Sequence, residues 1–156
     1  MPLIREIFCF SVDHLKFAIQ LHQVDRVIQS VTVQKLPDSS KILSGVVDYH
    51  GAVLPVIDFR FRLGLNEKPL SVNDFFILAK TSKRKFIIMA TKVWGMMEIP
   101  EQEIISFADL GSGLGMMGVT RRTDGIYYIY DLETFLTSEE EILLEKVIAP
   151  NQETQS

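Results

Sequence analysis

A single cysteine, Cys9, stands in a chain of 156 residues. No internal disulfide can form, and nothing points to an oxidising compartment. Soft-ligand metal chemistry is equally poorly supplied. The three histidines, His14, His22 and His50, fall in different predicted elements at no ligating spacing. Within Ile7-Phe8-Cys9-Phe10, Cys9 reads as a small buried hydrophobe. Basic charge is scarce too. Lys and Arg number 16 against 20 Asp and Glu, for a net charge of −4, which weighs against nucleic acid, whose phosphates are met by Lys and Arg. The one basic cluster, Lys80, Lys83, Arg84 and Lys85, lies between two strand-like runs and reads as a solvated hairpin tip. No apolar run approaches the roughly 20 residues that cross a bilayer. The opening Met1-Pro2-Leu3-Ile4-Arg5-Glu6 lacks the basic segment and apolar stretch of a signal peptide. The expectation is a soluble cytoplasmic protein with no catalytic residues, metal site or cofactor.

What the chain does have is repetition. Phe17-Ala18-Ile19 and Val24 return at one constant offset as Phe86-Ile87-Ile88 and Val93. Gly45-Val46, Gly51, Asp58 and Leu63 return at a slightly larger offset as Gly118-Val119, Gly125, Asp131 and Leu136, so the second copy has gained a few residues. Two imperfect copies of about 70 residues imply two similar halves sharing one core, not a solenoid of three or more units. Such a pair has a seam, where a partner can bind.

Most of each copy reads as short strands. Glu6–Val12 and Leu15–Leu21 form a predicted hairpin around Asp13-His14, and Arg26–Val33 is a half-buried strand. Ser39 or Ser40 is placed to cap a short helical turn through Leu43. Gly45–Tyr49 and Ala52–Phe59 flank a His50-Gly51 turn, and Pro55 in the second run implies an open strand edge there. Phe59–Leu63 is a helical turn ending at Gly64, with Asn66–Ser71 as linker. The second copy supplies strands at Phe75–Ala79, Phe86–Ala90 and Ile126–Tyr130, with Val93–Ile99 continuing the core until Pro100 and the glycine-rich Gly111–Gly118 leading into Met117–Arg121. Glu101–Leu110 is a loop or short helix, and Asp131–Leu136 repeats the helical turn. Asp58 and Asp131, the one carboxylate pair worth weighing for catalysis, each precede such a turn, where capping explains both. Ser138 and Glu141 have the spacing of a capping box. Ile142, Leu143, Leu144, Val147 and Ile148 then form an apolar stripe that should dock the helix on the barrels until Pro150 ends it. Trp94, Met96 and Met97 read either as a sticky, adaptable surface or, the commoner fate of such a cluster, as core. The result is an all-β, closed or nearly closed architecture of two small barrels plus a C-terminal α-helix.

The stretch Ile42-Leu43-Ser44-Gly45-Val46-Val47-Asp48-Tyr49-His50-Gly51-Ala52-Val53-Leu54-Pro55-Val56-Ile57-Asp58-Phe59-Arg60 resembles the central motif of CheW-type chemotaxis coupling proteins. The likeness extends from about Glu6 to about Leu144, and includes Phe17-Ala18-Ile19, Val24, Pro37, Asp131–Leu136 and Ser138–Glu140. The resemblance implies two SH3-like five-stranded β-barrels around a shared hydrophobic core. It implies a single domain over residues 5–148, with halves at about 15–65 and 72–136, an N-terminal strand and C-terminal helix completing the core, and a disordered tail at 149–156. It also implies no enzymatic activity: an adaptor binding the regulatory domain of a CheA-type histidine kinase and the cytoplasmic tip of chemoreceptors. The corresponding contact residues are Val24, Arg26, Gly45, Asp48, Tyr49, His50 and Gly51, of which Val24 and the two glycines read equally well as core and turn residues. Two of them depart from the family pattern, His50 standing for an arginine and Arg26 for an acid. Both change charge and reach, which bears on partner choice. The same fold would also serve an adaptor of pilus motility or another non-flagellar pathway. A reading of another class is a nucleotide- or ligand-binding enzyme using Gly113-Leu114-Gly115-Met116-Met117-Gly118. That G-x-G-x-x-G is expected to enter a strand, whereas the dinucleotide fingerprint must open a helix.

Overall fold

The computed structural model describes residues 3–36, 42–66, 68–106 and 115–154, with side chains through Lys146. In chain order come β1 (Ile4–Val12), β2 (Leu15–Gln20), β3 (Val24–Gln29), β4 (Leu43–Tyr49), β5 (Ala52–Ile57) and the short helix α1 (Phe59–Leu63). Then follow β6 (Phe75–Lys80), β7 (Lys85–Ala90), β8 (Lys92–Pro100), β9 (Ile105–Ser106), β10 (Met116–Arg122), β11 (Gly125–Tyr130) and α2 (Ser138–Thr154). Single 3₁₀ turns lie at Leu21–Gln23, Glu101–Glu103 and Leu132–Thr134. The expected cap on Ser39 or Ser40 lies outside the described residues.

The strands form two sheets, ordered β8-β1-β2-β11-β10-β9 (sheet A) and β3-β6-β7-β5-β4 (sheet B). Neither sheet follows the contiguous halves expected from the repeat. The β1–β2 hairpin of the first copy sits in the middle of sheet A among strands of the second, and the β6–β7 hairpin of the second sits in sheet B among strands of the first. The copies have exchanged hairpins. Each graft is completed by a parallel pairing, β5 with β7 and β11 with β2.

This exchange explains the continuous apolar runs. Phe8, Phe10, Phe17, Phe86, Ile88 and Phe135 belong to one large cluster shared between the sheets. Their neighbours in sequence face the other way. Ile7, Cys9 and Ala18 pack with Tyr127 and Ile129 in sheet A's own interior, and Phe76, Leu78 and Ile87 pack with Val47 and Val56 in that of sheet B. Strands buried on both faces need apolar residues at every position. Cys9 is fully buried in this way, and burial pushes its thiol up to about 12. That is an inert, structural cysteine.

The ladders leave each sheet formally open, but each curls until the chain leaving one edge reaches the other. After β3, Gln34 exchanges two backbone hydrogen bonds of 2.9 Å with Val46 on β4. After β8, β9 pairs Ile105 and Ser106 with Val119 and Gly118 on β10. The curl is SH3-like.

Several local expectations shift. Tyr49 faces Ala52 while Arg122 faces Gly125, so the second hairpin turn is Thr123-Asp124 and Gly125 takes the place of Ala52, not of Gly51. Pro55 lies on an internal strand, yet β7 begins pairing only at Val56, so the missing N–H costs no ladder bond on that side. The strand expected at Arg26–Val33 ends at Gln29. The helix α2 is capped one residue earlier than expected. Thr137 Oγ1 accepts from the Glu140 N–H at 3.1 Å, and Glu140 Oε1 accepts from the Thr137 N–H at 2.8 Å. Leu144 is buried and Ile142 exposed, so the stripe is narrower than its sequence suggests. The helix also continues past Pro150 to Thr154, although a proline inside a helix forfeits its own N–H bond and crowds the carbonyl four residues back. The basic hairpin tip is only partly solvated. Arg84 is drawn onto α2 by Glu141 at 2.6 Å.

Trp94 and Met96 are surface residues. In the β1–β8 ladder Cys9 faces Gly95 and Phe10 faces Val93, leaving Trp94 as an extra, bulged residue. Its ring is turned outward and 49% exposed, with Nε1 donating to Ser11 Oγ at 2.6 Å and the Lys92 ammonium 5.4 Å over the ring. The equivalent bulge in sheet B is Asp25, skipped between Val24 and Arg26 in the β3–β6 ladder. Of the expected cluster only Met97 packs inward.

Asp58 and Asp131 cap as expected, accepting from the backbone N–H groups of Arg60 and Glu133 at 2.9 and 3.0 Å. In the β1–β2 turn, Asp13 takes a hydrogen-bonded ion pair from Arg60, reinforced by Lys68, and these hold its carboxyl down at about 2 against an ordinary 3.8. A depressed carboxylate contributes stability above its unfolded value and loses it as pH falls through the folded value. Stability should therefore decline between about pH 4 and pH 2, and Asp13→Asn should flatten that part of the curve. Urea midpoints measured across this window check the linkage; parallel curves for the two proteins would remove it.

Candidate functional site

The two edges of sheet B, β3 and β4, meet where the sheet curls. There Arg26 Nη1 donates to Tyr49 Oη at 3.2 Å, which is the side-chain seam of the barrel. The Tyr49 ring in turn meets His50 edge-on, with centroids 4.4 Å apart and planes at 70°. His50 and Gly51 are the two residues of the β4–β5 turn, at φ 52° and 87°. Two consecutive positive φ values give a type I′ turn, whose twist matches the flanking strands. Histidine is among the few non-glycine residues that tolerate this region. Asp48 Oδ1 accepts from the Gly51 N–H at 3.0 Å and holds the turn shut.

Five of the seven expected contact residues thus form one strip: Arg26, Asp48, Tyr49, His50 and Gly51. All but Tyr49 are exposed, and Tyr49 is half-buried. Val24 and Gly45 do not belong to it in the same sense. Val24 is half-buried and packs its side chain on the shared core. Gly45 is buried, with Gln34 where its side chain would be; its role is to let two backbones approach. Asp25 joins the strip from the bulge beside Arg26. The sequence does signal it, because Asp25 and Trp94 are related by the same offset as Phe17 and Phe86, that of the first part of the repeat.

The strip offers a permanent cation from β3, a phenol and a carboxylate from the end of β4, and an imidazole on the turn that follows. That is recognition chemistry. No nucleophile–base pair is assembled in it. The glycine-rich alternative fares poorly. Gly113 and Leu114 lie outside the described residues, but Met116 and Gly118 are in strand β10. Among the described residues there, none opens a helix that could hold a pyrophosphate. Gly118 itself abuts the Ile105 carbonyl. Among the described residues no helix is long and apolar enough to cross a membrane.

Comparison with known proteins agrees with this geometry. The family model for the CheW-like domain matches residues 6–140. The chain is 25% identical over 108 residues to "Chemotaxis protein CheW" of Rhizobium meliloti (strain 1021), covering 69% of this chain and 70% of that protein. It is 27% identical over 101 residues to "Protein FrzA" of Myxococcus xanthus, covering 65% of this chain and 63% of that one. The crystal structure of scaffolding protein TtCheW from Thermoanaerobacter tengcongensis superposes with a TM-score of 0.74 at 22% identity, covering 85% of this chain and 90% of that chain. That likeness speaks for the fold, with its two curled sheets and shared core. With the family model spanning both sheets and the strip, the chain belongs to the CheW-like domain family.

Proposed function

We propose that this protein is a non-catalytic signalling adaptor that couples chemoreceptors to a CheA-type histidine kinase in the cytoplasm. The observation that carries this reading is the Arg26–Tyr49–His50 strip. Arg26 and His50 are exposed on either side of the half-buried Tyr49, the adjoining turn is held by Asp48, and all fall within the residues matched by the CheW-like family. The two partners are the regulatory domain of the kinase and the cytoplasmic tip of the receptors. Arg26 sets the specificity. A partner surface that faces it needs an acidic or acceptor-rich patch, and a partner suited to an acid at this position meets a like charge instead. A second reading with the same surface chemistry is an adaptor of a non-flagellar pathway.

Capture from the native cytoplasm with the tagged full chain tests both readings. Recovery of a receptor and a histidine kinase is the expected result, and the identity of the kinase distinguishes the two pathways. Their absence from the specific partners counts against the adaptor role. Arg26→Glu should weaken binding of the recovered partner by about tenfold or more, a charge reversal at a recognition surface, with circular dichroism unchanged. Unaltered affinity would remove Arg26 from the contact.

A further inference from the structure

The tight turns of the two exchanged hairpins are each gripped by the opposite sheet, and at equivalent positions. In the β1–β2 turn, Asp13 receives both arms of the Arg60 guanidinium, Nη2 to Oδ1 at 2.7 Å and Nη1 to Oδ2, with Lys68 Nζ at 3.3 Å from Oδ1. In the β6–β7 turn, Ser82 donates its N–H and its hydroxyl to the two carboxylate oxygens of Glu133, at 2.6 and 2.8 Å. Asp13 and Ser82 are related by the offset that carries Phe17 onto Phe86, and Arg60 and Glu133 by the offset that carries Asp58 onto Asp131. Those are the two offsets of the internal repeat. Each gripping residue lies two places beyond a capping aspartate, whose carboxylate accepts its backbone N–H. The residue types differ completely while the places coincide.

The connectivity gives these contacts a mechanical meaning. Arg60 is carried by α1, which continues from β5 of sheet B, and it grips a turn of sheet A. Glu133 continues from β11 of sheet A and grips a turn of sheet B. We propose that the two contacts are reciprocal latches that suppress sliding and opening of one sheet against the other at the rim of the shared core. β5 starts just after the His50-Gly51 turn and ends at Ile57, next to the Asp58 cap of α1, the helix that carries Arg60. The His50-Gly51 turn is thus joined to the Asp13 contact through a single strand and the first turn of α1. This holds whatever the partner is, since it concerns only contacts within the chain.

Amide hydrogen exchange on the full chain tests it, using Arg60→Gln, Glu133→Gln and the double variant. Each single change should speed exchange at the turn it releases by about tenfold. With one latch left, the sheets remain registered. The double variant should therefore speed exchange in β2 and β7 by more than the product of the two singles. Rises confined to the turns, or effects in the strands that merely multiply, would make these contacts separate turn caps and overturn the proposal. Should Arg60→Gln not fold, Arg60→Lys, which keeps the charge but loses the two-armed grip, is read in its place by the same criterion.

Discussion

Gly45→Ala should lose about 3 kcal/mol or more of stability, the scale of overpacking combined with broken buried backbone bonds. A Cβ at this position would lie 2.3 Å from the Gln34 carbonyl oxygen, 2.7 Å from Val33 Cγ1 and 2.9 Å from the Gln34 carbonyl carbon. Two of these atoms are backbone and cannot rotate away. They belong to the segment whose paired bonds with Val46 bring the chain leaving β3 against the opposite edge of sheet B. Relief requires that both bonds lengthen, which unzips the curl at the seam that also positions Arg26 against Tyr49. Gly118→Ala should behave alike in sheet A, since its Cβ would fall 2.2 Å from the Ile105 carbonyl oxygen where β9 closes on β10. Gly51→Ala makes the contrast. Nothing lies within 4 Å of its Cβ, and only the positive φ of 87° opposes the change, a cost of about 1 kcal/mol. Urea unfolding of the three variants orders them. A Gly45→Ala protein within about 0.5 kcal/mol of the parent would mean that the seam yields freely, contrary to the close packing of such interiors. The same experiment separates two roles for Gly45. A partner contact would lose binding at full stability, whereas a closure point loses stability first.

The hairpins, the helical turns and both capping aspartates are legible because local chemistry fixes them: a tight turn at Asp13-His14, glycines at φ > 0 in Gly51 and Gly64, and a carboxylate beside free N–H groups. The repeat discloses two equivalent units. The exchange of hairpins between them is not legible, since β1–β2 has the same alternation whichever sheet receives it. Only the uniform apolarity of Ile7-Phe8-Cys9-Phe10 hints that both of its faces are covered. Trp94 reads as core for a related reason. A bulge reverses the facing of one residue without altering the apolar count, and only its match with the polar Asp25 distinguishes the outward position. Within the site, Arg26 and Tyr49 are 23 residues apart in sequence and meet only because the sheet curls. That contact is tertiary, and no spacing rule predicts it. Gly45 groups with the surface residues in sequence because its motif is continuous with theirs, whereas the pleat sends its neighbours alternately in and out.

Phe59→Ala should produce the other large loss, about 3–5 kcal/mol. Phe59 is 1% exposed and stacks on Phe135 at 4.5 Å with planes 14° apart. It also meets Phe10, Phe17 and Tyr130 in edge contacts with centroids 5.9, 5.8 and 5.7 Å away. Those rings come from β1, β2, β11 and the turn leading to α2, so one side chain from the helix after sheet B fills the space among elements of sheet A. Truncation removes a whole ring from a place where the two sheets converge. The surrounding rings cannot collapse into the void without moving strands that are hydrogen-bonded on both sides, so most of the cavity persists and its cost adds to the lost transfer energy. Phe59→Leu keeps much of the volume and should lose only about 1–2 kcal/mol. The two variants also discriminate between sources of stability. If aromatic geometry mattered more than volume, leucine would approach alanine. If burial dominates, as the number of neighbours argues, leucine should lie much nearer the parent. Denaturant unfolding of the full chain measures both, and an alanine variant losing less than about 1.5 kcal/mol would place the void among those that can close. Because Phe59 follows the Asp58 cap and precedes Arg60, the loss should also loosen the grip on Asp13, bringing faster exchange in the β1–β2 turn before global unfolding sets in.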